Sequence, residues 1–394
     1  MSVPAFRKTV ISVISVALVA ACSGENKGTP RPETPPSEAP LTTPVGSSQL
    51  LTIPATDELG RFETPVSGLA LWQHPEVPFQ SLVLAANGAA GLIAINFDQE
   101  GVATLPGQFS DGLSLTYLAA NGTPVEVVAA FDSSINALRF VRMATDPVAF
   151  ENWRLSGDVQ EIASMRPLCF GRSAEDEALA LFGLMPDGNL SRSIIAADDG
   201  SLTVEAPVSF QRTDIKTCVS NDYTGDTYFL TDNGTVEVAD AFSSDMGFAD
   251  FVDLPAGEAI ELATALQAEG AGYLLAMVSS GPYVIHAYDL SSGEIAGEFT
   301  LGEFSDITAV ETISAFAADA SNFGGLYREG AIAIVEGDSN FALKLASWSA
   351  VRNILNLPKT DRLNRRNIGA ERTGDDPEEL LLQIPDLITE PDIQ

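Results

Sequence analysis

Few of the side chains that usually carry out chemistry are present in this chain. Its 394 residues include two histidines, His74 and His286, and three cysteines, Cys22, Cys169 and Cys218. Two histidines cannot build a multi-histidine zinc centre, and no Gly-x-Ser-x-Gly turn is present to expose a serine nucleophile. A Gly-Lys-Ser/Thr loop that could cradle phosphates is also missing. His74 precedes a proline in a turn and His286 lies in a β-rich run, so both read as structural and no catalytic residue is assigned. The Asn87-Gly88, Asp187-Gly188 and Asn233-Gly234 pairs belong to hairpin turns, where glycine accepts a positive φ. Acids are the abundant exception, with 54 Asp and Glu against 21 Lys and Arg and a formal charge of −33. Carboxylates gathered from several elements are what calcium needs, since it takes six to eight oxygen ligands. The same surplus repels polyphosphate backbones, which excludes nucleic acid as a partner.

The first cysteine stands in a different context. Arg7 and Lys8 precede an apolar run from Val10 to Ala21, interrupted only by the small Ser12 and Ser15. About twelve residues falls short of the roughly twenty that a membrane-spanning helix needs, and suits the h-region of a secretory signal. The run ends Val19-Ala20-Ala21-Cys22, which resembles a bacterial lipobox. Residues 1–21 are therefore expected to be a lipoprotein signal peptide, with lipid attached to Cys22. An ordinary signal peptide with Cys22 incidental is the alternative. Two acyl chains anchor a protein stably where one does not, so a membrane is the first expected partner. Ser23 stands where an inner-membrane retention signal would place Asp, which favours the outer membrane, on its periplasmic or cell-surface face. Loss of Arg7 and Lys8 takes the charge from −33 to −35. In an oxidising compartment Cys169 and Cys218 can form a disulfide, or remain as two buried thiols.

The elements that must position these residues have a plain order. Pro30, Pro32, Pro35, Pro36, Pro40 and Pro44 recur among Thr, Ser and Glu, so 22–60 reads as a disordered, extended tether. Residues 359–394 read as a disordered tail, basic from Lys359 to Arg366 and acidic around Asp375–Glu379. Five of the nineteen basic residues left after cleavage sit in this tail. Between 61 and 358, short β-rich runs alternate with Gly, Asn, Asp and Ser turns, and only Trp348 to Leu355 reads as helix. Six hairpins begin near Leu82, Val127, Ala178, Thr227, Tyr273 and Ala331, a period of about 50 residues. That period in short strands predicts an all-β fold, a six-bladed β-propeller with four-stranded blades.

Particular residues then resemble one family. Ala70-Leu-Trp-Gln-His-Pro75, Ser81-Leu-Val-Leu84, Gly91-Leu-Ile-Ala-Ile95, Leu168-Cys169, Thr217-Cys218 and Asn340 to Trp348 are similar to the corresponding blades of β-propeller phytases. The resemblance covers nearly all of 61–358 and implies a calcium-dependent 3-phytase, a phosphohydrolase whose channel-mouth calcium ions activate water and neutralise phytate. Its functional motifs are largely replaced. Ser67-Gly68-Leu69-Ala70 stands for a calcium-binding Asp-Asp-Pro-Ala, and Gly88-Ala89 for a phosphate-binding lysine. Ser114 and Thr116 stand for a carboxylate and a guanidinium, and Arg166 for a tyrosine. Pro186-Asp187-Gly188 replaces Lys-Asp-Gly, and Lys216 replaces a metal-binding glutamate. Glu261, Glu311 and Asp338 are the remaining candidates for a residual calcium site. The expectation is a membrane-anchored, phytase-like propeller, catalytically degenerate, that binds a phosphorylated small molecule or an envelope protein. The alternative is a divergent calcium-dependent 3-phytase.

Overall fold

The second strand of each expected blade is an unbroken apolar run where an isolated sheet would alternate, because both of its faces are covered. The computed structural model describes residues 50–359, except 121–122, 173–177, 199, 223, 253, 255–257, 269–270, 280–282 and 338–340, together with 365–367. Six sheets stand face to face in a ring. Leu82–Ala86 and Ala331–Glu336 are buried at every position. Successive side chains point to opposite neighbours, so Val83 and Ala85 enter one inter-blade core and Leu84 and Ala86 the next.

From the axis outward, blade I is Gly68–Trp72, Leu82–Ala86, Leu92–Asn96 and Gly101–Leu105. Blade II is Phe109–Ala120, Thr123–Asp132, Ala137–Thr145 and Val148–Asn152. Blade III is Arg166–Arg172, Ala178–Leu184, Leu190–Asp198 and Ser201–Val204, with Arg154–Gly157 added in parallel outside it. Blade IV is Ile215–Ser220, Asp226–Thr231, Val236–Asp240 and Ala249–Asp250. Blade V is Ala259–Ala268, Ala271–Ser279, Tyr283–Asp289 and Ile295–Gly302, and blade VI contributes Ile313–Asp319, Ala331–Glu336 and Ala342–Ser347. The hairpins counted in the sequence are the second and third strands of the blades. Gly88, Gly188 and Gly234 take positive φ at their turns.

The core is divided into six apolar clusters, one at each interface around the ring. Phe182 and Phe229, both fully buried, meet edge to face between blades III and IV, their centroids 5.1 Å apart. Burying such a ring contributes about 1.5–3 kcal/mol, so each interface is held by several residues of this kind. The helix Trp348–Ile354 buries Trp348 and Val351, one turn apart, against the cluster between blades V and VI.

Ring closure corrects the expected boundary at residue 61. Asp57–Arg61 is the outermost strand of blade VI, antiparallel to Ala342–Ser347. Leu51–Pro54 adds a fifth strand to blade V, parallel to Ile295–Gly302. Residues 51–54 and 57–60, assigned to the tether by their low apolar content, are strand because they cover edges that would otherwise present unpaired amides. Tyr327 fixes this closure, its hydroxyl donating to the Asp57 carboxylate and lying 2.7 Å from Thr56 Oγ1. The expected signal segment, Cys22 and the expected tether up to residue 49 lie outside the described residues.

Candidate functional site

The six innermost strands contact one another in sequence around the axis and enclose a cavity of about 480 Å³. Its wall includes the opening residues of each inner strand, and Arg365 from the C-terminal segment closes the far end. Gly112 allows a tight approach here. At φ +72° its Cβ position would lie 2.4 Å from the Pro167 carbonyl oxygen of the next blade, so any other residue would force the two strands apart. Cys169 and Cys218 are bonded across the same wall, Cα to Cα 5.4 Å, joining the inner strands of blades III and IV.

The two ends of the cavity carry different electrostatics. At the mouth, Lys216 Nζ lies 2.9 Å from Glu261 Oε2, and Arg166 lies 4.0 Å from Asp111. These side chains keep 41%, 45%, 60% and 35% of their surface exposed. Water therefore screens both pairs, each worth about 0–1 kcal/mol. Apolar and small side chains such as Leu69, Leu113, Leu168 and Ala263 line the wall between mouth and floor.

At the floor, Arg365 donates from Nε to Asp222 Oδ2 at 2.8 Å and from its Nη1 nitrogen to Asp319 Oδ2 at 3.0 Å. Arg366 donates to the Gln73 carbonyl at 2.6 and 3.0 Å and to Glu126 Oε2 at 3.2 Å. Its guanidinium lies 4.5 Å from the Tyr117 ring centroid and 5.5 Å from that of Trp72, a cation–π arrangement. Asp222 and Asp319 are almost completely buried. Burial alone would raise the Asp222 carboxyl, but Arg365 and Arg172 outweigh it and hold the carboxyl below the usual range. Burial pushes the Tyr117 hydroxyl up to about 12. Arg365 and Arg366, from a segment read in the sequence as a disordered tail, are thus both bound to the blades, Arg365 at the cavity wall.

The residues singled out by sequence fare unevenly. Ser67–Ala70, Gly112–Leu115, Arg166–Cys169, Lys216–Cys218 and Glu261 all line the one cavity. Glu261 is engaged by Lys216, whereas Glu311 is exposed in the approach to blade VI and is not part of the cavity wall. Asp338 lies outside the described residues. Among the described residues, no three His, Cys, Asp or Glu gather as a cation site. His74 caps its own turn, its Nδ1 accepting from the amides of Glu76 and Val77 at 3.1 and 2.9 Å, and burial lowers its pKa. His286 Nδ1 lies 3.0 Å from the Tyr288 hydroxyl. Asp222, Asp319 and Glu126 were not distinguishable in sequence among 54 acids. The concentration of basic residues before Arg366 was the one available signal.

No protein-family model matches the chain, and no curated protein does. Among solved structures, a mutant of the Aleuria aurantia lectin in complex with alpha-methyl-L-fucoside is similar at 12% identity, over 73% of this chain and 92% of that one, with a TM-score of 0.45. A structural genomics protein of unknown function from Bacteroides thetaiotaomicron is 13% identical over 76% of this chain and 75% of its own, with a TM-score of 0.45. A luciferin-regenerating enzyme is 13% identical over 75% and 95%, with a TM-score of 0.44. These are likenesses of fold, and no ligand or activity passes from them to this chain.

Proposed function

We propose that this chain is an exported lipoprotein, anchored at the outer membrane through Cys22, whose phytase-like but catalytically degenerate propeller is a ligand- or protein-binding module. The observation that carries this reading is the cavity mouth. Its acids are each matched by a cation, Glu261 by Lys216 and Asp111 by Arg166, where grouped free carboxylates would be needed for calcium. The wall offers a concave surface on which apolar side chains are interspersed with polar and charged groups able to orient a ligand. Lys216 and Arg166 are exposed enough to exchange their carboxylates for a phosphate, which suits a phosphorylated small molecule. A divergent calcium-dependent 3-phytase is the second reading, favoured by the motif positions that share one cavity, Ser67–Ala70, Ser114, Arg166, Lys216 and Glu261, whereas Gly88–Ala89, Thr116 and Pro186–Gly188 lie outside its wall.

Incubating the purified mature chain with phytate and calcium separates the two. We expect no phosphate release above background. Turnover comparable with that of active β-propeller phytases would overturn the binding-module reading. Millimolar calcium raising the thermal midpoint would restore a residual metal site, because a ligand that binds only the folded state stabilises it. For the anchor, Cys22→Ser is expected to move the protein from the membrane fraction to the soluble one.

A further inference from the structure

The carboxylates at the floor of the channel are held from two sides, by their own blades and by two arginines. Each of the three carboxylates uses one oxygen to hold its own blade and offers the other to a guanidinium. Asp222 Oδ1 accepts from Ser220 Oγ at 3.0 Å, Asp319 Oδ1 from the Ser321 amide at 2.7 Å, and Glu126 Oε1 from the Met143 amide at 3.0 Å. Gln267 further fixes the Asp222 turn, accepting from the Asp222 amide at 2.8 Å and donating to the Ser220 carbonyl at 2.7 Å. None of these bonds involves the C-terminal segment. The outward-facing oxygens, the Gln73 carbonyl and the Trp72 and Tyr117 rings belong to blades I, II, IV and VI, yet they converge on two consecutive arginines.

We propose that the closed end of the channel is a binding site for an arginine–arginine peptide segment, filled in this chain by its own Arg365 and Arg366. The proposal is independent of what binds at the mouth. Planar guanidinium groups fit the paired acceptors and the aromatic faces, whereas a lysine ammonium presents a single point charge and no flat surface to stack. A dibasic segment offered by a second polypeptide would meet the same acceptors once the resident arginines were withdrawn.

The test uses the full chain carrying Arg365→Ala and Arg366→Ala, with a fluorescein-labelled peptide of residues 361–368 as the probe and anisotropy as the readout. We expect the peptide to bind this variant saturably and not to bind the unsubstituted chain, whose site is occupied. A peptide with lysine in place of Arg365 and Arg366, and Arg362 kept, should bind at least about tenfold more weakly, and adding Asp222→Asn to the protein should weaken binding at least about 30-fold. Equal binding of the arginine and lysine peptides, or equal binding to the unsubstituted chain, would mean general attraction to an acidic surface and overturn the proposal. If circular dichroism shows the double variant to be unfolded, the full chain is given a protease site within residues 360–364 and cleaved after folding. Uptake of labelled peptide in exchange for the released tail then supports the site, and no uptake refutes it.

Discussion

The mouth and the floor of the channel use the same chemistry to different ends. Both pair Lys or Arg with Asp or Glu, between neighbouring blades at the mouth and between the C-terminal segment and the blades at the floor. Water makes the difference. At the mouth the charges stay solvated, so the pairs are weak and their members can change partners. At the floor the carboxylates are out of water, and losing one partner strands the other in a medium that solvates it poorly. One end is therefore suited to exchange and the other to retention, although neither sequence segment announces which is which.

The largest effect should come from breaking the floor. Asp222→Ala would leave Arg365, and the nearby Arg172, short of a buried counter-charge, and should lower stability by about 3–5 kcal/mol in urea unfolding. A loss under about 1 kcal/mol would mean that the floor is solvated like the mouth. Next is the wall between the two ends. Replacing Cys169 and Cys218 by serine frees a loop with a sequence separation of 49, and should remove about 2–4 kcal/mol under oxidising conditions. Acid should then separate the ends without mutation. The Asp222 carboxyl is held below its ordinary value, so its stabilising contribution is complete above about pH 4 and disappears as the pH falls through the folded-state value. We expect the urea midpoint to fall between pH 5 and pH 3 by more in the unsubstituted chain than in Asp222→Asn, and equal falls would argue against the assignment. The smallest effect is at the mouth, where Lys216→Ala should change stability by less than about 1 kcal/mol and become neutral at high salt.

The propeller was legible because its signal is repeated. Six hairpins at a steady period survive errors in any one of them, and the turn glycines Gly188 and Gly234 mark the same corner in successive blades. The strands of closure were not legible. Leu51–Pro54 and Asp57–Arg61 carry few large apolar residues, and they are strands because distant blades offer them amides to pair with. The site divides in the same way. The mouth could be approached because it lies on strand openings with recognisable motif positions, including Arg166 and Lys216. The floor could not, because Asp222, Asp319 and Glu126 are made special by burial and by an arginine pair far away in the chain. Their sequence separations from those arginines are 143, 46 and 240 residues. Glu311 shows the converse, a carboxylate singled out by a motif position that is exposed and lies apart from the cavity wall.

Closure by Asp57–Arg61 also sets an order in time. Thr56 meets Tyr327 across 271 residues of sequence, so Asp57–Arg61 must wait for the last blade before it has a strand to pair with. Until then blades V and VI expose open edges, and contacts of such long range form slowly. Under the proposed export, a chain crossing a membrane as an extended thread would keep these partners apart until both had arrived on the far side. The ring would then complete itself in the compartment where it serves, and only afterwards would the arginines have a channel to enter.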